Sequence, residues 1–191
     1  KDLHDFAREN NILLCFDEIQ SGMYRMGELY GYMTYGEYLK PDIICIAKAL
    51  SAPLPLSAVL SNSSLIDNIT KVGGTHAGNP LCCASSIANI DFLTDENFQN
   101  ALKHKVEYFE KSFKALEEFE CVDVVNVRGM VAGIIFHEKE IATKVECVKK
   151  GVMVMNTWST SIKIGPPLTI SLDALEETIK TIKESIKDVI I

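Results

Sequence analysis

One tryptophan, six prolines and eleven glycines among 191 residues leave too little Pro and Gly for a collagen-like or low-complexity chain. No stretch approaches the roughly 18 uninterrupted apolar residues of a membrane-spanning helix, and no membrane partner is expected. Basic residues are in deficit: 19 Lys and Arg stand against 26 Asp and Glu, for a net charge of −7. The basic patch or stripe of a nucleic-acid binder is therefore missing, and nucleic acid is not an expected partner. There is no P-loop and no G-x-G-x-x-G, which sets aside a plain nucleotide-binding α/β domain. The six cysteines, Cys15, Cys45, Cys82, Cys83, Cys121 and Cys147, form neither a C-x-x-C pair nor a zinc spacing with histidine, so no metal site is expected. They read as reduced, buried thiols of a cytoplasmic protein, with the adjacent Cys82 and Cys83 on different faces of a helix. The first ten residues are charged and helix-like, unlike a signal peptide. The sequence opens on Lys1 rather than Met, in a helix leading into a strand, and reads as a chain entered midway.

What is present is an ordinary globular composition, 47% apolar and 24% charged, in a length that suits one large domain or two small ones. Residues 1–10 read as a short helix. Ile12 to Phe16 is a continuous apolar run ending in Asp17-Glu18, the pattern of a buried, parallel strand. Residues 21–39 are irregular and glycine-containing. A second apolar run, Ile43 to Ala47, ends at Lys48, and residues 57–61 read as a third strand. Asn79-Pro80 starts a helix, with Asn as N-cap and Pro in the first helical position, running to about Leu93. A further helix runs from Thr94-Asp95-Glu96 to about Phe119. Beyond it, residues 121–137 read as a hairpin, 140–150 as a helix, 152–156 and 161–165 as short strands, and 173–189 as an amphipathic closing helix. The change of character places a domain boundary near residue 94.

Two residues stand out chemically. Asp17 and Lys48 each end an apolar run, and polar residues at the carboxyl ends of strands sit where open α/β sheets bind ligands. Such a pair can be a salt bridge and nothing more. Alternatively, a lysine at a dry strand end can have a lowered pKa and act as a carbonyl-capturing nucleophile.

Several segments, in order and correctly spaced over nearly the whole chain, carry a resemblance. Asp17-Glu18-Ile19-Gln20-Ser21-Gly22, with Arg25 and Gly27 following, is very similar to a signature of the class III aminotransferases. Pro41-Asp42-Ile43, leading to Ala47-Lys48-Ala49-Leu50, resembles that family's lysine segment. Pro55-Leu56-Ser57-Ala58 resembles the strand after it, and Gly73-Gly74-Thr75-His76-Ala77-Gly78-Asn79-Pro80 its phosphate loop. Arg128-Gly129 with Gly133, and Pro166-Pro167-Leu168-Thr169-Ile170, resemble its later segments.

The resemblance implies an α/β fold: the C-terminal part of the large, cofactor-binding domain of a fold-type I pyridoxal-phosphate transferase over residues 1–93, then a small C-terminal α/β domain over 94–191. It implies pyridoxal 5′-phosphate as cofactor. Asp17 would pair with the pyridinium nitrogen and keep the ring protonated and electron-accepting. Lys48 would hold the cofactor as a Schiff base and, once displaced by substrate, shuttle a proton. Gln20 would lie near the ring's phenolic oxygen. Thr75 would reach the cofactor phosphate of a neighbouring subunit, which implies a homodimer or higher homo-oligomer. His76 matches a variable position and reads as a surface or interface residue.

The implied reaction moves an amino group from an omega-amino acid or amine, 4-aminobutyrate-like, to an oxo acid such as 2-oxoglutarate. An amino-acid racemase or aminomutase of the same family would share Asp17, Gln20 and Lys48, and a non-catalytic remnant serving assembly is a further reading. The chain departs from the pattern in three places. Ser51-Ala52-Pro53 replaces the Gly-rich turn after the lysine. Lys163 stands where many members carry an arginine that grips the substrate carboxylate, and lysine lacks the planar fork. The family's N-terminal half, which supplies further cofactor contacts and strands, has no counterpart here, so the chain reads as a fragment lacking that half.

Overall fold

The computed structural model describes residues 1–67, 73–137, 140–157 and 160–190. The chain divides into two compact units, Lys1–Gln99 and Asn100–Ile191, each built around its own sheet.

In the first unit, α1 (Asp2–Glu9) has Asp2 and Asp5 in its first turn and Arg8 in its last, the order the helix dipole favours. It leads into β1 (Cys15–Asp17), which pairs in parallel with β2 (Ile43–Ile46), Cys15 opposite Ile43 and Asp17 opposite Cys45. β3 (Ala58–Ser61) lies antiparallel on the other side of β2, with Ala58 opposite Ile46, so the order is β1-β2-β3. The buried strand expected over residues 12–16 is shorter and more open: Ile12 and Leu13 are 47% and 54% exposed. The reason is position, since β1 is an edge strand of the described sheet and its apolar run has a partner on one side only. The structure also corrects the reading of the thiols as buried. All six cysteines are free, but only Cys82 and Cys147 are buried, and Cys15 is exposed.

A short α2 (Ser63–Ile66) follows β3. α3 (Pro80–Thr94) begins as its sequence dictates. Asn79 Oδ1 accepts the N–H groups of Leu81 at 3.0 Å and Cys82 at 3.4 Å, and Pro80 occupies the first turn. The cap satisfies two of the donors a helix start leaves open. α4 (Glu96–Lys114) is opened by Asp95, whose Oδ1 accepts the Phe98 N–H at 3.0 Å, and tightens into a 3₁₀ turn over Ala115–Glu118.

The second unit is a four-stranded antiparallel sheet in the order β4-β5-β7-β6: β4 (Val122–Arg128), β5 (Val131–Phe136), β6 (Met155–Asn156) and β7 (Ser161–Ile164). β4 and β5 form the expected hairpin, with Arg128 opposite Val131 across Gly129-Met130. Gly129 has φ +56°, the left-handed conformation that a two-residue hairpin turn demands of glycine. Alternation puts Ala132, Ile134 and Phe136 of β5 and Ile162 and Ile164 of β7 into the core. α5 (Glu140–Lys149) lies against α6 (Leu172–Ile190) and β7. α6 buries Leu175, Ile179, Ile182 and Ile186, the spacing of one helical face, and α4 contributes the stacked pair Phe109 and Phe113, with ring centroids 4.2 Å apart. The strand expected over 152–156 pairs only at Met155–Asn156, and Met153, two residues before it, is 88% exposed.

Candidate active site

Because β1 and β2 are parallel, their carboxyl ends lie at one edge of the sheet, and the Glu18 N–H ties them together by donating to Cys45 O at 2.9 Å. Asp17 is the last residue of β1. Its Oδ1 accepts the Ile19 N–H at 3.0 Å. A carboxylate can accept several more hydrogen bonds, and the side chain is exposed. Two residues past β2 stands Lys48, also exposed, at the head of a 3₁₀ turn over Lys48–Leu50. The topology thus brings Asp17 and Lys48 to the same end of adjoining strands.

The backbone at Lys48 is unusual. Its φ is +46°, a left-handed conformation that costs a non-glycine residue about 1–2 kcal/mol. Ala52, in the Ser51-Ala52-Pro53 turn, adopts φ +56°. Such outliers cluster at functional sites, where surrounding structure holds them in place. Lys48 lines a groove of about 470 Å³ together with Ala47 and residues 52–57, a volume in the range of small-ligand pockets.

The turn after β1 is organised by a residue that sequence reasoning left unassigned. Glu18 is 3% exposed. Its carboxylate accepts the Gly31 N–H at 2.8 Å, the Tyr32 N–H at 2.8 Å and the Ser21 hydroxyl at 2.5 Å. The signal in the sequence is the charge itself, since a glutamate at the end of an apolar run is either exposed or fully hydrogen-bonded. Gly22 belongs to the same fold-back. A Cβ there would stand 2.8 Å from Glu18 O, which excludes any other residue without a shift of the backbone. Gln20 lies in this turn and is exposed. Nearby, the Cys45 thiol is pushed up by the hydrogen bond to Cys15, with Sγ atoms 3.8 Å apart, by burial, and by the Cys15 and Asp17 charges. Cys45 therefore stays a neutral thiol.

Thr75 sits in an exposed turn closed by the Ala77 N–H on Gly74 O at 2.9 Å. Among the described residues, no hydrogen bond joins Thr75 to Asp17 or Lys48. His76 is exposed as well. Lys163 belongs to the second unit. It stands on β7 between Gly133 of β5 and Met155 of β6, on the sheet face opposite Ile162 and Ile164, and lines a groove of about 320 Å³ with Gly151, Met153, Met155, Pro166 and Thr178.

Comparison with known proteins agrees with the motifs. The family model "Aminotransferase class-III" matches residues 1–186. The chain is 34% identical over 189 residues to an ornithine aminotransferase of Oceanobacillus iheyensis, covering 96% of this chain and 46% of that protein. It is 32% identical over 194 residues to an acetylornithine aminotransferase of Clostridium acetobutylicum, covering 97% and 48%. The crystal structure of acetylornithine aminotransferase from Elizabethkingia anophelis superimposes with a TM-score of 0.87 at 28% identity, over 98% of this chain and 51% of that one. The chain spans about half the length of the curated relatives it matches. The mixed α/β architecture is that of the aminotransferase structures it matches, whose family depends on pyridoxal phosphate. In sequence and in fold, the chain belongs to the class III aminotransferases.

Proposed function

We propose that the protein carrying this chain transfers an amino group from an omega-amino acid or amine to an oxo acid such as 2-oxoglutarate, with Lys48 as the attachment point of pyridoxal phosphate. The observation that carries this reading is the pairing of an amine and a carboxylate at the ends of two parallel strands, with the amine on a left-handed backbone at a groove. The donor set suits the cofactor. Lys48 offers a primary amine, and Asp17 offers a carboxylate with acceptor capacity for a pyridinium N–H. When bound, the cofactor supplies an electron sink at the substrate carbon. Lys48 then holds or returns the proton at that carbon, Gln20 donates toward the ring's edge, and the Glu18-centred turn keeps Asp17 and Gln20 in place.

The relatives named ornithine and acetylornithine aminotransferases favour a donor bearing both a terminal amine and a carboxylate, a class that also includes 4-aminobutyrate. Lys163 is the side chain for that carboxylate, binding it as a point charge rather than a fork. Thr75 contacts the cofactor phosphate of a second subunit, which makes the active form a homodimer or larger. Residues 1–93 act as part of the cofactor-binding domain and 94–191 as the small domain. The free cysteines suit a cytoplasmic setting.

The test is chemical. The protein is incubated with pyridoxal phosphate, reduced with borohydride and digested, and the pyridoxyl tag is located by mass spectrometry. A tag on Lys48 that disappears in Lys48→Ala is the expected result, after which amino donors are screened against 2-oxoglutarate. Tagging distributed over exposed lysines, and unchanged in Lys48→Ala, overturns the reading.

A further inference from the structure

Lys48 is followed by three carbonyl groups that no strand partner takes up, and each is captured by a side chain of α3. Asn89 Nδ2 donates to Ala49 O at 2.6 Å, Ser86 Oγ to Leu50 O at 3.0 Å, and Ser85 Oγ to Ser51 O at 2.8 Å. The donors stand at positions i, i+1 and i+4 of one helix, so they share one side of it. Their order runs opposite to that of the carbonyls they hold. Leu50 and Ser51 are 5% and 0% exposed; buried carbonyls there need partners, and of the three carbonyls the turn itself supplies a partner only to that of Ser51. Its internal hydrogen bonds are the Leu50 N–H on Ala47 O at 3.0 Å, the Leu54 N–H on Ser51 O at 3.3 Å and the Ser51 hydroxyl on Leu54 O. Ser86 is itself 6% exposed, and a buried hydroxyl is retained at a cost unless it is bonded.

We propose that Ser85, Ser86 and Asn89 are positioning residues for Lys48: three fixed points on a rigid 15-residue helix hold the turn so that Lys48 keeps its left-handed backbone at the groove. This rests on the reading of Lys48 as the cofactor lysine. The physical requirement is plain. A left-handed residue with a side chain relaxes unless its neighbours over-determine it. The carbonyls of the three residues after Lys48 are those whose reorientation would let it relax. α3 packs on this turn through these polar bonds, whereas a purely apolar contact would allow it to slide.

The experiment uses the intact protein and the variants Ser85→Ala, Asn89→Asp and Ser85→Thr. Asn89→Asp keeps size and replaces the donor by an acceptor that faces Ala49 O; Ser85→Thr keeps the hydroxyl. Two readouts are taken. The first is the yield of borohydride-trapped pyridoxyl tag at Lys48, taken as a ratio to that at exposed Lys103 as internal reference. The second is hydrogen exchange of the Leu50 amide in protein without added cofactor. Ser85→Ala and Asn89→Asp each lower Lys48 tagging by about five-fold, the equilibrium weight of one such hydrogen bond. They bring its tag yield toward that of Lys103 and accelerate Leu50 exchange, and Ser85→Thr restores both. A wild-type ratio of Lys48 to Lys103 tagging in both variants overturns the proposal, even where thermal stability falls, because that is the result of a staple between α3 and the turn and nothing more. If the unsubstituted protein carries no tag at Lys48, the cofactor reading fails separately. The clamp is then judged by Leu50 exchange alone: acceleration in both variants supports it, and unchanged exchange overturns it. Should Asn89→Asp fail to fold, Asn89→Ser, which shortens the donor without adding charge, takes its place in the same measurements.

Discussion

The buried carboxylate of Glu18 accepts the backbone N–H of Gly31, thirteen residues along the chain, at 2.8 Å. With the Tyr32 N–H and the Ser21 hydroxyl on the same group, this one side chain folds the whole segment after β1 back onto the strand end that bears Asp17. Tyr32 in turn packs on Phe16 and stacks on Tyr30, with centroids 5.6 and 5.8 Å apart.

Glu18→Ala leaves at least one buried backbone donor without an acceptor and is expected to cost about 3 kcal/mol of stability. Glu18→Gln retains one acceptor oxygen but presents an amide N–H to the other donor, and falls between the two. Chemical denaturation of the three proteins orders them; a Glu18→Ala variant as stable as the parent would show that the turn folds without its anchor.

The Arg8 and Asp42 pair gives the first unit a pH-dependent contribution to stability. Arg8 Nη1 donates to Asp42 Oδ1 at 2.8 Å and Oδ2 at 2.9 Å, and the Leu14 N–H donates to Oδ2 at 2.7 Å. The hydrogen bond from Arg8, then that from Leu14, and the Arg8 and His4 charges hold the Asp42 carboxyl below the usual range, against the opposing effect of burial. A depressed folded-state pKa stabilises the fold above the unfolded value, about 3.9 for aspartate, and the contribution is lost as pH falls through the folded value. Thermal melts from pH 6 down to pH 2 are expected to show a decline below about pH 4 that is smaller in Asp42→Asn. Equal slopes in the two proteins sink this assignment.

Ala52 carries strain without a functional group. It has φ +56° and precedes Pro53, and residues before proline prefer extended backbone. Ala52→Gly removes the left-handed penalty of about 1–2 kcal/mol but adds about 0.4–1 kcal/mol of unfolded-chain entropy, for a net gain of about 0.5–1 kcal/mol. A rise in unfolding midpoint checks it, and a fall shows that the alanine methyl contributes packing that outweighs the strain.

The parts of this fold that were readable from sequence are those decided within a few residues. Asn79-Pro80 announces the start of α3 because cap and first turn are adjacent in the chain. The hairpin at Gly129 is legible from local alternation, and Asp17 and Lys48 from the apolar runs they terminate. What escaped is set by distant partners. Ile12 and Leu13 have the apolarity of a strand, but pairing needs a neighbour and the described sheet ends there. Glu18 reads as surface charge until the segment thirteen residues on closes over it. Ser85, Ser86 and Asn89 look like polar positions on a helix of no clear amphipathic face, and their partners lie 34 to 40 residues earlier. Side-chain to backbone bonds over such separations leave no periodic trace.

Lys163 offers the sharpest test of substrate class. It stands opposite Gly133, where an added Cβ would meet nothing within 4 Å, so the sheet face at Gly133 is open. Its own groove is walled by Met153, Met155 and Pro166. An apolar wall with one cation suits a carboxylate at the end of an aliphatic chain. A hydrogen bond to a charged group is worth about 1.5–3 kcal/mol, so Lys163→Met is expected to raise KM for a carboxylate-bearing donor by about ten-fold or more. It should leave kcat and the KM for an amine without a carboxylate near their starting values. Lys163→Arg restores a bidentate fork and is expected to lower KM for the carboxylate donor below that of the unsubstituted protein. Steady-state kinetics in the intact protein with a matched pair of donors, one with and one without the carboxylate, separates the outcomes. A KM that rises equally for both donors would assign Lys163 to the fold of β7 rather than to the substrate, because a distorted strand does not distinguish one donor from the other.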